Sequence, residues 1–148
     1  MDGVPLVRNV DYTVDYGLGR VTFARADAYD PGHLPGGFTG GFAGFWWSHV
    51  PKARLAAFLD AFHARLAPGA RVCFVDNRYV AGSSTPVAFT DAGGDTYQHR
   101  RLRDGSTHTV LKNFPSDDEL REAVRGRADV AVADFEYYWC LTYVASGS

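Results

Sequence analysis

The residues best suited to chemistry lie between positions 27 and 49. Asp27 follows an apolar run typical of a strand, and an ionised carboxylate there can only accept hydrogen bonds. His49 closes an aromatic run that begins at Phe45, and its unperturbed pKa near neutrality suits a general base that deprotonates a hydroxyl or an amine. Aromatic rings beside such a base exclude water and attract cations.

Structural explanations of the same residues stay open at this point. A carboxylate at the end of a strand often caps local N–H groups, as Asp27 could. Two adjacent Trp residues on a strand send their rings to opposite faces, so Trp46 and Trp47 could both belong to the core. A single His where a strand meets a helix is often a packing or capping residue.

These side chains must be positioned by alternating strands and helices. Val21–Ala26 and Phe38–Val50 are predicted strands, the second carrying Ser48 and His49 at its end. A helix is predicted from Pro51, with Leu55, Leu59, Phe62 and Leu66 on one apolar face and Pro68-Gly69 as its stop. Arg71–Asp76 follows as a buried strand, and such a crossover builds a parallel sheet with flanking helices.

The remaining residues predict a long loop, one helix and a closing hairpin. Residues 77–96 are rich in Gly, Ser, Thr and Asp, which favours a functional lid or a mobile segment. Thr107–Leu111 alternates weakly and could be a strand. Ser116 and Glu119 have the spacing of a capping box, and Gly126 ends that helix. Two strands follow and predict an antiparallel hairpin at the sheet edge, namely Ala128–Phe135 and Tyr137–Val144.

Composition restricts the functional class. The chain has 148 residues, of which 46% are apolar, which suits one globular domain. A net charge of −2 gives no strong basic excess, so nucleic-acid binding is not expected. The basic run His99-Arg100-Arg101, with Lys112, could hold an acidic substrate group, but the pattern favours a solvated strand face. No apolar run reaches the roughly 20 residues that span a bilayer.

The sequence predicts neither a metal site nor a secreted protein. His33, His63 and His108 lack ligand spacing, and Cys73 and Cys140 lie in apolar runs that favour free buried thiols. The N-terminus lacks the basic and apolar regions of a secretory signal. We therefore expect no metal, no membrane partner and a cytoplasmic location.

Several short phrases, in this order and spacing, resemble the class I S-adenosylmethionine-dependent methyltransferases that act on small molecules. The resemblance covers about residues 20–145 and implies an α/β fold, namely a partial Rossmann-like sheet with flanking helices and a C-terminal antiparallel hairpin. The matching phrases are Ala26-Asp27-Ala28-Tyr29-Asp30, Gly44-Phe45-Trp46-Trp47-Ser48-His49-Val50-Pro51, Leu66-Ala67-Pro68-Gly69-Ala70, Phe74-Val75-Asp76-Asn77, Leu111-Lys112-Asn113-Phe114-Pro115 and Tyr137-Tyr138-Trp139.

The resemblance also implies roles for particular residues. S-adenosylmethionine (SAM) would lie across the carboxyl ends of the strands, with Asp27 accepting from the adenine amino group. His49 would be the catalytic base for a small-molecule substrate. The further cofactor contacts implied are Ala28, Tyr29, Phe45 and Trp46, and the implied substrate contacts are Trp47, Ser48, Asn77 and Tyr79.

The chain departs from the family upstream of Asp27. A glycine-rich loop for the methionine end of SAM, and an acidic residue for its ribose, should precede this position by several tens of residues, yet only 26 residues do. Gly17-Leu18-Gly19 is better explained as a turn, because a strand begins two residues later. We therefore divide the chain into an unassigned segment, residues 1–19, and an incomplete methyltransferase-like domain, residues 20–148.

This departure changes the expected function. Without the family's first two strands, central sheet edges would be unpaired. Residues 2–19 could cover the gap, the fold could rearrange, or another chain could pair there; our hypothesis is a homodimer or a partner chain at the exposed edge. Methyl transfer by this chain alone is expected to be impaired or lost. The alternatives are a noncatalytic ligand-binding or regulatory module that pairs with another chain, or an unrelated, mainly antiparallel pocket protein.

Overall fold

The computed structural model describes residues 10–15 and 20–145. Two short 3₁₀ turns, Trp47–His49 and Lys52–Arg54, precede the first helix. Among these described residues, no helix has the length and apolar character needed to cross a membrane. In chain order the elements are β1 (Val10–Asp15), β2 (Arg20–Arg25), β3 (Phe38–Gly44), α1 (Leu55–His63), β4 (Leu66–Asn77), β5 (Phe89–Thr90), β6 (Thr96–Arg101), β7 (Thr107–Leu111), α2 (Asp117–Ala123), β8 (Ala128–Asp134) and β9 (Tyr138–Val144).

The strands form three sheets. The main sheet has the order β3-β4-β9-β8, with β3 parallel to β4 and the other pairs antiparallel. β5, β6 and β7 form an antiparallel meander, and β1 pairs with β2 in a separate hairpin. The predicted α/β class, the β3-α1-β4 crossover and the closing hairpin are therefore confirmed, although β9 lies inside the sheet and β8 at its edge.

The core lies between the main sheet and the two helices. Phe74 of β4 and Leu141 of β9 are completely buried, and α1 packs against this layer through Phe58 and Leu59. α2 contributes Leu120 from the other end of the sheet. The buried side chains of Ala70, Val72 and Phe74 alternate along β4, so one face of this strand is covered by the core.

The second predicted strand is shorter than expected. β3 ends at Gly44 because Phe45 adopts a left-handed conformation, with φ of 58°, and donates its N–H to the Val75 carbonyl at 2.8 Å. Left-handed backbone costs a non-glycine residue about 1–2 kcal/mol, so a local alternation pattern does not reveal it. Trp47, Ser48 and His49 therefore lie on a 3₁₀ turn beyond the strand.

The predicted helix also ends early. α1 stops at His63, and Leu66 is the first residue of β4 instead of the last apolar position of the helix. The Arg65 carbonyl accepts the N–H of Phe38 at 3.1 Å, which draws the chain into the sheet at this point. Gly69, predicted as part of a helix stop, lies within β4 with φ of 77° and donates to the Ala145 carbonyl.

Short-range sequence signals were more reliable than the predicted lengths of strands and helices. The capping box of α2 is confirmed, since Ser116 Oγ accepts the Glu119 N–H and Glu119 Oε2 accepts the Ser116 N–H. The bounds of strand β6 were not predicted, but its residues His99, Arg100 and Arg101 are exposed, which agrees with the explanation of the basic run as a solvated strand face. The predicted turn at residues 17–19 lies outside the described residues.

His63 couples the stability of this core to pH. Its ring accepts from Arg127 at Nδ1 (3.1 Å) and contacts the Tyr143 hydroxyl at Nε2 (2.6 Å), an arrangement that requires the neutral imidazole. Burial, with a contribution from Arg127, lowers the pKa of His63 from 6.5 to about 4.

We expect stability to fall as the pH drops from 6.5 towards 4, because the unfolded state then binds a proton that the native state does not. Relative to His63→Gln, the wild-type chain should lose about 1–2 kcal/mol over this window, after allowance for solvent screening. Urea denaturation at several pH values measures the difference, and two parallel stability profiles would contradict it.

Candidate functional site

Parallel pairing brings the ends of β3 and β4 to one edge of the main sheet. Gly44 lies opposite Val75, so the residues that follow each strand meet there. The Ser48 N–H donates to Asp76 Oδ2 at 2.9 Å, which ties the 3₁₀ turn to the end of β4. Ligands of open α/β sheets bind at this edge, so the predicted site residues are expected to lie here.

Lys112 is the centre of a buried polar cluster at this edge. Its Nζ donates to Asp76 Oδ1 at 2.9 Å, to Ser48 Oγ at 2.6 Å and to Asn77 Oδ1 at 3.0 Å. The side chains of Lys112 and Asp76 are only 3% and 0% exposed. The sequence-based explanation of Lys112 as part of a solvated face is therefore wrong: its charge is used inside the protein.

Asn113 extends the same cluster to the meander. Its N–H donates to the Ser48 carbonyl at 2.8 Å, and its amide donates to Asp95 Oδ1 at 2.8 Å. The Thr96 N–H donates back to Asn113 Oδ1 at 2.9 Å. Every group of this buried amide has a partner, as buried polar side chains require, and the meander is thereby attached to the main sheet.

Two of the predicted substrate contacts lie in the interior. Trp47 is 4% exposed and packs edge-on against Phe74 and Trp139, with ring centroids 5.1 and 5.8 Å away. Ser48 is completely buried, and its N–H, carbonyl and hydroxyl all have protein partners. This geometry favours structural roles for both residues.

His49 is held in the form that a general base needs. Its Nδ1 lies 2.7 Å from the Leu111 carbonyl, which can only accept, so the proton is on Nδ1 and the Nε2 lone pair is left unprotonated. Burial lowers the pKa of His49, and the nearby Lys112 charge lowers it further, against the opposing effect of the Leu111 bond. The ring is therefore neutral at pH 7.

The residues predicted to hold adenine form one neighbourhood. The exposed Asp27 accepts the Tyr29 N–H at Oδ1 (2.9 Å), and the Tyr29 ring lies 6.0 Å from Trp46. Ala28 is half-buried and packs against the core. Arg54 covers the Tyr29 ring, with its guanidinium carbon 3.6 Å from the centroid.

The other predicted residues lie in or beside a cleft beyond β4. Asn77 lines this cleft together with Tyr138, whose ring lies 5.9 Å from that of Phe45. Phe45 is 52% exposed. Tyr79 is exposed and packs edge-on against Phe114 at 5.3 Å. Phe45 and Trp46 are consecutive residues, so this cleft adjoins the Asp27–Trp46 neighbourhood.

The described residues fit the adenine end of SAM better than its other end. The Asp27 carboxylate keeps acceptor capacity beyond its one bond to Tyr29. Trp46 Nε1 is buried and has no hydrogen-bond partner among the described residues, which leaves a donor for a ligand. Residues 20–145 offer no glycine-rich strand-to-helix loop for the methionine end. Over the same range, no group of three or more His, Cys, Asp or Glu residues is placed to hold a metal ion.

Sequence reasoning missed Lys112 and Asp76 as a pair. The available signal was a lone Lys after the two apolar residues Val110-Leu111 and a lone Asp ending the apolar run of β4. Opposite charges beside apolar residues are expected to be buried only as partners. The spatial proximity of these ends, however, depends on the meander, which was not predicted.

No protein-family model and no curated protein sequence matches the chain. Solved structures do. DhpI in complex with S-adenosylhomocysteine (SAH) is 24% identical with a TM-score of 0.63, over 86% of this chain and 56% of DhpI. A SAM-dependent methyltransferase of Methanosarcina mazei is 12% identical with a TM-score of 0.62, over 83% of this chain and 66% of that protein.

The glycopeptide N-methyltransferase MtfA, complexed with SAM, is 17% identical with a TM-score of 0.56, over 82% of this chain and 63% of MtfA. This chain thus spans less than two thirds of the length of DhpI and MtfA and about two thirds of the archaeal protein. These similarities decide against an unrelated pocket fold: the chain has the fold of part of a class I SAM-dependent methyltransferase.

Proposed function

We propose that this chain takes part in SAM-dependent methyl transfer to a small molecule, through the sheet edge formed by the ends of β3 and β4. The observation that carries the proposal is the neutral ring of His49, which follows Ser48 at that edge and whose Nδ1 is bound to the Leu111 carbonyl, so that Nε2 is left unprotonated. DhpI and MtfA were both crystallised with SAM or SAH, which supports the same cofactor class here.

Each residue has a defined part in this proposal. Asp27 and the backbone of Ala28 and Tyr29 would hold the adenine ring, with Phe45 and Trp46 beside it. SAM supplies an electrophilic methyl group when bound. His49 would take the proton from the acceptor hydroxyl or amine, since a base that is neutral at pH 7 is ready to accept one.

The position of His49 depends on the buried cluster. Leu111 precedes Lys112, and the bond from His49 Nδ1 to the Leu111 carbonyl therefore fixes the imidazole relative to the Lys112–Asp76 pair. Methyl transfer relies mainly on positioning and the exclusion of water, so a rigid attachment of the base is useful.

Calorimetric titration with SAH tests the proposal. We expect binding by the wild-type chain and a loss of about tenfold or more in affinity on Asp27→Ala, because a charge-assisted hydrogen bond is removed. Asp30→Ala is the matched control, since Asp30 is also exposed and accepts only a local N–H, from Gly32. His49→Gln should keep SAH affinity, because a base acts on the acceptor.

No binding of SAH at millimolar concentration would refute cofactor binding by this chain. Equal losses for Asp27→Ala and Asp30→Ala would show that only the loop conformation matters. Loss of SAH affinity on His49→Gln would reassign His49 from base to cofactor contact.

A second candidate function is a module that completes its sheet with another chain. Among residues 10–15 and 20–145, no strand pairs with the outer edge of β3, which carries Phe42 at 61% exposure. Exposed apolar strand edges are templates for pairing, either with a second copy or with a different chain. SAH binding that appears only on self-association would favour this candidate, and a constant monomer mass in light scattering would argue against it.

A further inference from the structure

Positively charged side chains line the cleft beyond β4. It has a volume of about 280 Å³ and is bounded by the end of β4, the loop after it, the meander and the β8–β9 turn. Three of its lining side chains carry positive charge, namely Arg78, Arg100 and Lys112, and no Asp or Glu is among the described residues that line it.

The three cations differ in how far they are neutralised. Lys112 pairs with the buried Asp76 at 2.9 Å. Arg78 pairs with Asp117 at 3.0 Å and also with Asp134. Arg100 forms no ion pair with any carboxylate in the described part of the chain, although it lines the same cleft. The positive charge available to a ligand is therefore that of Arg100.

A buried amide positions Arg100. Gln98 is 1% exposed, and its Oε1 accepts from Arg100 Nε at 3.4 Å and from an Arg100 terminal nitrogen at 3.1 Å. Gln98 in turn donates its Nε2–H to the Thr85 carbonyl, which fixes the amide orientation. Of the five guanidinium N–H donors, three are left without a partner among the described residues.

Aromatic rings form another part of the cleft. Phe114, Tyr137 and Tyr138 line it, and Tyr138 contacts the exposed ring of Phe45, a predicted cofactor neighbour. A volume near the lower end of the usual range for ligand pockets suits a molecule with a single ring. The cleft therefore combines a fixed guanidinium, one aromatic wall and proximity to Phe45, a predicted cofactor contact.

We infer that the acceptor is a small aromatic carboxylic acid whose carboxylate binds Arg100 in this cleft. The inference rests on the proposed methyl transfer for the meaning of "acceptor", but the binding itself does not depend on it. A guanidinium recognises a carboxylate through paired N–H donors, so the acid should be distinguished from its neutral amide.

The test compares 4-hydroxybenzoate with 4-hydroxybenzamide, two ligands of the same shape that differ in charge. Each is titrated calorimetrically at low ionic strength into the wild-type chain, Arg100→Gln and Arg103→Gln. Arg103 is an exposed arginine outside the cleft, so its substitution makes the same change in net charge. Arg78 is unsuitable for substitution, because Asp117 and Asp134 would lose their partner.

We expect the acid to bind about tenfold or more tightly than the amide, and Arg100→Gln to remove that preference while Arg103→Gln keeps it. Any of three results would overturn the inference. These are equal binding of the acid and the amide, equal effects of the two arginine substitutions, and no binding of the acid at 10 mM, which is about the weakest affinity that such a titration resolves.

A parallel titration with SAH separates this inference from the proposed function. SAH binding without acid binding would refute the acceptor class and leave the cofactor proposal intact. Acid binding with the expected dependence on Arg100, but without SAH binding, would establish the anion site and refute methyl transfer by this chain.

Discussion

Replacing Lys112 with Met is expected to lower the free energy of unfolding by about 3–5 kcal/mol, because it leaves Asp76 as an uncompensated buried charge. Asp76 is completely buried, and Lys112 Nζ at 2.9 Å is the cation that neutralises it. Its remaining partners, the N–H groups of Ser48 and Asn77, are neutral donors. Urea denaturation followed by fluorescence measures the change.

A second substitution distinguishes loss of the charge balance from loss of packing. Asp76→Asn combined with Lys112→Met removes both charges and keeps an oxygen that accepts the nearby N–H groups, so part of the lost stability should return. Lys52→Met is the matched control: Lys52 pairs with Glu119, but the two side chains are 47% and 53% exposed. Such a surface pair contributes at most about 1 kcal/mol.

A Lys112→Met variant as stable as the Lys52→Met control would show that the pair at the end of β4 does not stabilise the fold. If the double variant were the least stable of all the variants, the two charges would act separately. Either result would remove the argument that this cluster fixes the position of His49.

Replacing Trp47 with Ala is expected to destabilise the chain by about 3–5 kcal/mol, since it removes a large buried aromatic side chain. Trp47 is 4% exposed and contacts the rings of Phe74 and Trp139. For a chain of this size, such a loss lowers Tm by on the order of 10 °C. Thermal and urea unfolding measure it.

Phe135→Ala is the control for Trp47→Ala, because Phe135 is also aromatic but 58% exposed, and its loss should change stability by less than about 0.5 kcal/mol. The Trp47 result decides between two roles. A Trp47→Ala variant with wild-type stability but weakened ligand binding would restore the sequence-based role of Trp47 as a substrate contact and contradict its place in the core.

The proposed site is divided between residues that were found from the sequence and residues that were not. Asp27, Tyr29, Trp46 and His49 stood out through their residue types and the family resemblance, and their roles in binding SAM and in catalysis are predictions. In the structure, Tyr29 lies beside Trp46 and bonds to Asp27, and His49 bonds to the Leu111 carbonyl. Arg100 was noted in a basic run, but its role at the cleft depends on Gln98, a residue with no distinctive sequence signal.

What the sequence determined by itself was local. The capping box of α2 needs only residues three apart in the chain, and the β8–β9 hairpin needs two apolar runs with a short turn between them. The β3-α1-β4 crossover follows from hydrophobic periodicity in consecutive segments. These features depend on interactions between residues close together in the sequence, so the sequence pattern was enough to predict them.

Only the tertiary structure decided the features that join residues far apart in the sequence. Lys112 and Asp76 are 36 positions apart, and Trp47 contacts Trp139, which lies far from it in the sequence. The left-handed Phe45 ends β3 because its N–H is bound by β4, and Gly69 fits within β4 because of its bond to Ala145. Burial and electrostatic partners are properties of the packed chain, so no local pattern could specify them.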